Sequence, residues 1–376
     1  MSFLRTVRLS DFRNYEAADL HDLGRGFVVL YGSNGAGKTN VLEAVSLLSP
    51  GRGLRNTKLS EIQRQEGHSP WTVFAQCAST YGDIPIGTAY DIGRDKRQIN
   101  IKGVPAKAQT ALSDYLNIIW VTPQMDGLFL GGASERRRFL DRLVFAKDAA
   151  HSGRVRRYEN LIYERSKLLK NEDIPNDPVW LDSLEAQIAE TGIAIAASRL
   201  DYIERLRHAI SENTLNITPV FPTAALTMTG FIEDSLGKIP ALEIEKKFKN
   251  HLKNARDIDA IQGGASLGPH RSDLKVTFVP KNMDAANCST GEQKALLLGI
   301  VLAHCWLIKQ ENDAAPICLL DEVAAHLDPQ RRKSLYAVLE NMEAQVWLTG
   351  TDRNLFEDTP KQTRFFKVER GQIYPE

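Results

Sequence analysis

Two fragments of one chemical device stand at opposite ends of this chain: GSNGAGKT at 32–39 and CLLDE at 318–322. The first matches the pattern G-x-x-x-x-G-K-[ST]. It follows the apolar, β-branched run GFVVLY and precedes Val41, Leu42, Val45 and Leu48 at helical spacing, with Pro50 as a stop. Strand, loop and helix in that order make the pattern a phosphate-binding loop. Gly32, Gly35 and Gly37 let the backbone curl, so that the N–H groups around Ser33, Asn34 and Ala36 face phosphate oxygens. The helix N-terminus adds partial positive charge. Lys38 is then placed for the β- and γ-phosphates, and the Thr39 hydroxyl for Mg²⁺. Any fold that uses this loop must bring the second fragment beside it. That fragment is a buried strand ending in two acids, with Asp321 holding the Mg²⁺ shell. Glu322, one residue on, is expected on another side of the strand, as a general base for the attacking water. The ligand pair this implies is ATP with Mg²⁺.

What lies between the fragments decides the architecture. The chain has 376 residues, 43% hydrophobic and 25% charged, enough for two or three domain-sized pieces and typical of a globular fold. No apolar run approaches the roughly 20 residues of a membrane span, and MSFLRTVRLSDF has no secretory h-region. The four cysteines, Cys77, Cys288, Cys305 and Cys318, have no metal-ligand spacing; three lie in apolar or helical segments and read as small buried thiols, and the set fits a reducing cytoplasm. Lys+Arg and Asp+Glu are balanced at 47 each, so a nucleic-acid site must be a local patch.

FLRTVRLSDF, WTVFAQCAST, IGTAYDIG, RQINIKG and LNIIWVTP read as strands, giving a strand-rich segment over 1–130. From Ser134 to about Lys170 the pattern is helical and charged, and helical again from about Pro178 to Asn213. NEDIPNDP between them reads as a turn, so the two form a short antiparallel arm within a helical lobe over 131–262. TPVFPTAALTMTGF reads as a strand and PALEIEKKFKNHLKNARDID as a helix. After Gly263 strand and site patterns return, with LKVTFV as a strand, so 263–376 is taken as the second part of the ATPase domain. The fold class expected is α/β, a mixed sheet with helices, plus that α-helical lobe.

NCSTGEQKALLLGIVLAHCWLIKQ adds a third piece. Ser289 and Glu292 form a capping box before a helix that is apolar nearly all round from Glu292 to about Lys309. Its start is either an anion site or an ordinary capped core helix. In this order the three pieces resemble the ABC-type ATPases of the SMC-like group. In that group the serine-glycine signature of one subunit closes on the γ-phosphate held by another. The resemblance puts Ser289, Thr290, Gly291, Glu292 and Gln293 in the signature. It puts Leu327 and Asp328 of HLDPQ in the D-loop and Gln124 of VTPQ at a Mg²⁺-sensing position. Where a switch histidine belongs, QVWLTGTD offers Thr349, Thr351 or Asp352 instead.

VRLSDFRNYE, SERRRFLDRL, LGPHRSD and STGEQKALLLGIVLAH together resemble the RecF family of bacterial recombination mediators, over essentially the whole chain. Membership implies a cytoplasmic, nucleoid-associated, weak ATPase whose main role is DNA binding, at duplexes and at single-strand/duplex junctions. It implies an ATP-dependent homodimer released by slow hydrolysis, and RecR and RecO as partners, with no membrane. Arg13 and Asn14 of FRNY match positions beside the nucleotide phosphates.

For DNA itself, Arg52, Arg55 and Lys58 share one loop, while Arg138, Arg142, Arg154, Arg156 and Arg157 lie on the charged helices. Such clusters suit either phosphate contacts or a solvated, ion-paired surface. His270 and Arg271 of GPHR are expected to be structural or inter-lobe contacts rather than catalytic residues. A transporter ATPase subunit and a structural SMC-like ATPase are the competing readings; the distance between the two fragments and the added arm disfavour the first.

Overall fold

In a computed structural model, residues 3–67, 69–79, 82–170, 178–216 and 220–376 are described. The strands in chain order are β1 (Phe3–Phe12), β2 (Tyr15–Leu20), β3 (Phe27–Tyr31), β4 (Thr72–Ser79), β5 (Gly82–Asp91), β6 (Lys96–Ile101), β7 (Val104–Pro105), β8 (Ile118–Val121), β9 (Ala224–Thr229), β10 (Asp273–Phe278), β11 (Met283–Asp284), β12 (Ile317–Leu320), β13 (Val346–Gly350), β14 (Arg364–Glu369) and β15 (Gln372–Pro375). The α-helices are α1 (Lys38–Ser46), α2 (Ala133–Phe145), α3 (His151–Lys170), α4 (Pro178–Asn216), α5 (Ala241–Asn254), α6 (Arg256–Gln262), α7 (Thr290–Asn312) and α8 (Pro329–Asn341).

The chain forms two compact units, one of residues 1–126, 212–222 and 294–376, the other of 127–211 and 223–293. Residues 263–293 therefore sit with the helical unit, not with the C-terminal ATPase segment to which the sequence pattern assigned them. The physical reason is strand pairing: β10 pairs with β9 from Asp273↔Thr229 to Phe278↔Ala224 and with β11 on its other edge.

The first unit holds two six-stranded sheets. One has the order β2-β1-β4-β5-β6-β7 and is antiparallel throughout. Its strands alternate, as in β6, where every second residue is buried. The other has the order β15-β14-β3-β13-β12-β8, and all its pairs but β14–β15 are parallel. Here β8, β12 and β13 are buried along their whole length, which is why they read as unbroken apolar runs. Both sheets and α1 share one core, with Phe12, Trp71, Val41, Val45, Leu319 and Trp347 among its buried members. Arg97 of β6 is buried in it. Its guanidinium donates to the carbonyls of Leu47, Ser49 and Gly51, just past the end of α1, and to Thr88 Oγ1. Burial without a carboxylate partner lowers its pKa to about 9.

In the second unit the charged stretch expected as one helix from Ser134 is two, α2 and α3. At the break, the Asp148 carboxylate accepts from the Ala150 N–H at 3.1 Å and holds Arg154 at 2.5 Å. α3 and α4 run antiparallel: Arg165 meets Glu185 at 3.0 Å, while Arg154 meets Ser198 at 3.1 Å. The turn expected between them, at 171–177, lies outside the described residues. Arg165 is 1% exposed and also pairs with Asp259 of α6 at 2.7 Å. Removing one partner from such a buried group typically costs about 3–5 kcal/mol. The two stretches RRRFLDR and GPHRSD lock together. Arg136 forks onto Asp273 at 2.7 and 3.0 Å, and Arg199 forks onto Asp141 at 2.8 Å while donating to the Pro269 carbonyl. His270 accepts or donates to Tyr158 Oη at 2.9 Å and contacts the Ala265 carbonyl at 3.0 Å. Burial, helped by Arg271 and Arg137, lowers its pKa to about 4.

The helix α7 starts at Thr290 and ends at Asn312, longer at both ends than its apolar pattern indicated. At 23 residues it is long and apolar enough to cross a membrane by length and composition, but its most apolar stretch is mostly buried inside the protein.

Candidate nucleotide site

The phosphate loop leaves β3 at Gly32 and enters α1 at Lys38. A Cβ on Gly32 would collide with the Val368 carbonyl of the neighbouring β14. Gly37 has φ 117°, and a Cβ there would fall 2.6 Å from Asn14 Nδ2 and 2.7 Å from Tyr15 Oη. Both glycines are thus needed for close approach as well as for backbone freedom. The two groups crowding Gly37 hold the loop: Asn14 Nδ2 donates to the Ala36 carbonyl at 3.1 Å, and Tyr15 Oη to the Gly37 carbonyl at 3.1 Å. Pinning those carbonyls outward leaves the N–H groups of the following residues to face the loop interior, as an anion cradle requires.

Lys38 is 4% exposed, and its ammonium donates to the carbonyls of Gly32 at 2.8 Å and Ser33 at 2.9 Å. Burial lowers its pKa, while the charges of Glu322 and Asp321 pull it back up. Thr39 Oγ1 lies 2.9 and 3.0 Å from the two oxygens of Asp321, 282 residues away. The sheet order explains that meeting, since β13 alone separates β3 from β12. The strand in between decides among the residues weighed for the switch position. Thr349 of β13 is fully buried; its hydroxyl donates to Asp321 at 2.8 Å and accepts from the Glu322 N–H at 2.8 Å. Of the three residues weighed for the switch position, only Thr349 lies within the strand; Thr351 and Asp352 are exposed beyond it, and Asp352 caps the Asn354 N–H. Burial raises the Asp321 pKa, and the hydroxyls of Thr349 and Thr39 work against that rise.

Glu322 does not belong to the strand. β12 ends at Leu320, and Glu322 has φ 55°, a left-handed backbone turn just past the strand. Gln124 is exposed, three residues past Val121, which pairs with Leu320 in the adjacent strand; it therefore sits at the same sheet edge as the two acids. The hard oxygen donors Thr39 and Asp321 fit a divalent cation such as Mg²⁺.

Several of the remaining expected residues have structural partners of their own. Arg13 has φ 56° and forks onto the fully buried Glu43 of α1 at 2.8 and 2.6 Å; it also donates to Glu61 O and Thr57 Oγ1. It anchors the wall of the site, and Asn14 beside it touches the loop. Of the basic loop, Arg52 and Lys58 are exposed, whereas Arg55 pairs with Glu43 at 2.7 Å. Arg154 is held by Asp148, and Arg138 and Arg156 are exposed.

The signature lies in the second unit, up to Gln293. Ser289 caps α7 in a reciprocal box: its N–H and hydroxyl donate to the Glu292 carboxylate at 2.9 and 2.8 Å, and the Glu292 N–H reaches Ser289 Oγ at 3.4 Å. Lys281 closes on Glu292 at 2.5 Å, and those partners lower its pKa to about 2. Gln293 is buried, with its amide on the carbonyls of Ala286 and Cys288, whereas Ser289, Thr290 and Gly291 face solvent. Asp328 is exposed and caps α8 through the Arg331 N–H.

A phosphate loop and a two-acid strand end on one parallel sheet, with a capped signature helix following from a helical unit, define a P-loop ATPase head of the ABC type, in its SMC-like form. A family model described as the RecF/RecN/SMC N terminal domain matches residues 3–374. A protein of Rhizobium rhizogenes named DNA replication and repair protein RecF is 44% identical over 373 residues, covering 99% of this chain and 98% of that protein. One of the same name from Brucella suis is 46% identical over 372 residues, covering 98% and 95%. The chain belongs to the RecF family of DNA replication and repair proteins. In fold it is similar to the solved recombination mediator protein RecF-ATPrS in the RecFOR pathway, with a TM-score of 0.86 at 24% identity, covering 100% of this chain and 98% of the other. An Smc head domain derived from Pyrococcus furiosus gives 0.55 at 15% identity, with 100% and 96% covered.

Proposed function

We propose that this chain is an ATP-dependent DNA-binding recombination mediator. Its ATP-bound homodimer binds duplex DNA and single-strand/duplex junctions, works with RecR and RecO, and is released by slow hydrolysis. The observation that carries the reading is the cluster of Lys38, Thr39, Asp321 and Thr349, assembled from both ends of the chain at one sheet edge. The shared name of the relatives, and the RecFOR pathway of the similar solved structure, support the role in repair.

Thr39 and Asp321 would hold a Mg²⁺ ion, which when bound would supply positive charge to offset the negative charge developing during phosphoryl transfer to water. Gln124, at the same edge, completes the set. Lys38 exchanges its two loop carbonyls for phosphate oxygens. Glu322 accepts the proton of the attacking water, and Thr349 fixes the turn that aims it. Ser289 and the first N–H groups of α7 cap the γ-phosphate held by a second copy. ADP offers those donors nothing, so the dimer loosens after hydrolysis. A charge-assisted hydrogen bond is worth about 1.5–3 kcal/mol, and a symmetric dimer makes the contact twice.

Sedimentation velocity of Ser289→Arg with ATP and Mg²⁺ tests this reading. The variant is expected to bind ATP as a monomer, to lose turnover, and to lose DNA binding most steeply at higher salt. A normal ATP-dependent dimer would leave Ser289 as the cap of a core helix and remove the clamp.

A further inference from the structure

We propose that Arg55 is a positioning residue for the nucleotide site, acting through a relay of two amides that ends on the phosphate loop. The inference rests on the nucleotide reading above.

Each link is short. Arg55 Nη1 donates to Glu43 Oε2 at 2.7 Å and to Asn40 Oδ1 at 2.7 Å. Asn40 Nδ2 donates to Asn14 Oδ1 at 2.6 Å, and Asn14 Nδ2 donates to the Ala36 carbonyl at 3.1 Å.

The direction of this chain is set at one end. A guanidinium has donors only. Whatever group Arg55 meets must turn an oxygen toward it, so Asn40 presents Oδ1 and is left with its NH₂ facing Asn14. Asn14 must then present its own Oδ1, which leaves its NH₂ facing Ala36. With either amide turned the other way, an oxygen would meet an oxygen, or an NH₂ an N–H donor. The last member of the chain is a main-chain carbonyl in the middle of the phosphate loop. Held outward, it keeps the following N–H available to an anion.

Glu43 makes Arg55 a dependable starting point. The carboxylate is fully buried on α1, one turn past Thr39, and is already forked onto Arg13. It holds Arg55 without relying on it, so losing Arg55 leaves the Arg13–Glu43 pair in place. Arg55 itself is 27% exposed in its side chain and lies between Arg52 and Lys58, both exposed. A loop fit to meet phosphates outside the site is thereby wired to the loop that meets phosphates inside it.

A double-mutant cycle on ATP affinity tests the relay, using neutral replacements at raised salt so that lost charge is screened. Asn40→Leu and Arg55→Met are each expected to weaken equilibrium ATP binding about tenfold, which is about 1.4 kcal/mol. The double variant is expected to be no weaker than either single one, because a chain cut twice is still one broken chain. KM for ATP should rise while kcat holds, and Arg55→Lys, which keeps a donor and the charge, should recover most of the affinity. Both side chains are part-exposed, and Asn40→Ala serves if Asn40→Leu melts early. A single variant with parent affinity, or a double variant near a hundredfold loss, overturns the relay. Lys38→Ala separates that failure from failure of the nucleotide reading: it loses ATP whether or not the relay exists.

Discussion

The phosphate loop and the start of α7 are two parts of this molecule built in opposite ways. Thr39 meets Asp321 across 282 residues, and Lys38, Asp321 and Thr349 are all buried. Ser289 meets Glu292 across 3 residues and Lys281 meets Glu292 across 11, with the serine in solvent. The first part draws its side chains from α1, from the residue after β12 and from β13, and only long-range packing can bring those into one place. The second is a local capping box, which keeps its shape without a distant partner.

The sharpest way to break the contrast is at the buried end. Lys38→Ala should abolish ATP binding in equilibrium dialysis, a loss of at least about a hundredfold for a charged hydrogen-bonding group, while the signature helix keeps its cap. Retained binding would mean that the loop is not the nucleotide site. Next, Glu322→Gln should keep ATP binding yet slow single-turnover hydrolysis by about 10²–10⁴-fold, the usual range for a lost general base. Such a variant should accumulate as a dimer; hydrolysis at the parent rate would remove Glu322 from the chemistry.

Thr349→Val sharpens the comparison with a smaller change. It deletes one hydroxyl that lowers the Asp321 pKa, so that pKa, already raised by burial, should climb further. Protonated Asp321 is a poor cation ligand, so the acid limb of the pH–rate profile should move to higher pH. Turnover at neutral pH should fall about tenfold, consistent with about 1–3 kcal/mol for a buried group left unsatisfied. An unmoved acid limb would show that Thr349 merely fills space. A further test, on stability and not on turnover, lies in the helical unit. His270 has a pKa of about 4 when folded, against 6.5 unfolded, so the unfolded chain binds more protons between those values. Stability is present above about pH 6.5 and is lost as pH falls toward 4, by up to about 3 kcal/mol. Thermal melts of His270→Gln should show a flatter acid slope than the parent; an equal slope would place the acid sensitivity elsewhere.

The same contrast explains what could be read from the letters. The loop, the acids and the capping box are contiguous stretches whose chemistry is local, and each was legible. Buried parallel strands announced themselves as apolar runs. Thr349 was not legible in its role, because nothing in QVWLTGTD says that β13 lies between β3 and β12. Arg13 was legible as a site residue only through resemblance, and its fork onto Glu43 is a tertiary fact. The break between α2 and α3 was hidden because helical periodicity continues across it, while Asp148 and Ala150 make a turn that competes with the helix. The assignment of 263–293 depended on β10 finding β9, a pairing no local pattern encodes.

The strand that launches the phosphate loop has an unusual dependence on the order of synthesis. The neighbours of β3 are β13 and β14, neither of which begins before Val346. On the ribosome, the GSNGAGKT segment emerges early and then waits, flanked by nothing, while some three hundred further residues are made. Non-local pairing of this kind is slow and leaves strand edges exposed in the meantime. A nascent chain therefore carries the nucleotide motif without a nucleotide site. A polypeptide that stops short of Val346 leaves β3 without either sheet neighbour and lacks the Thr349 hydroxyl that reaches Asp321.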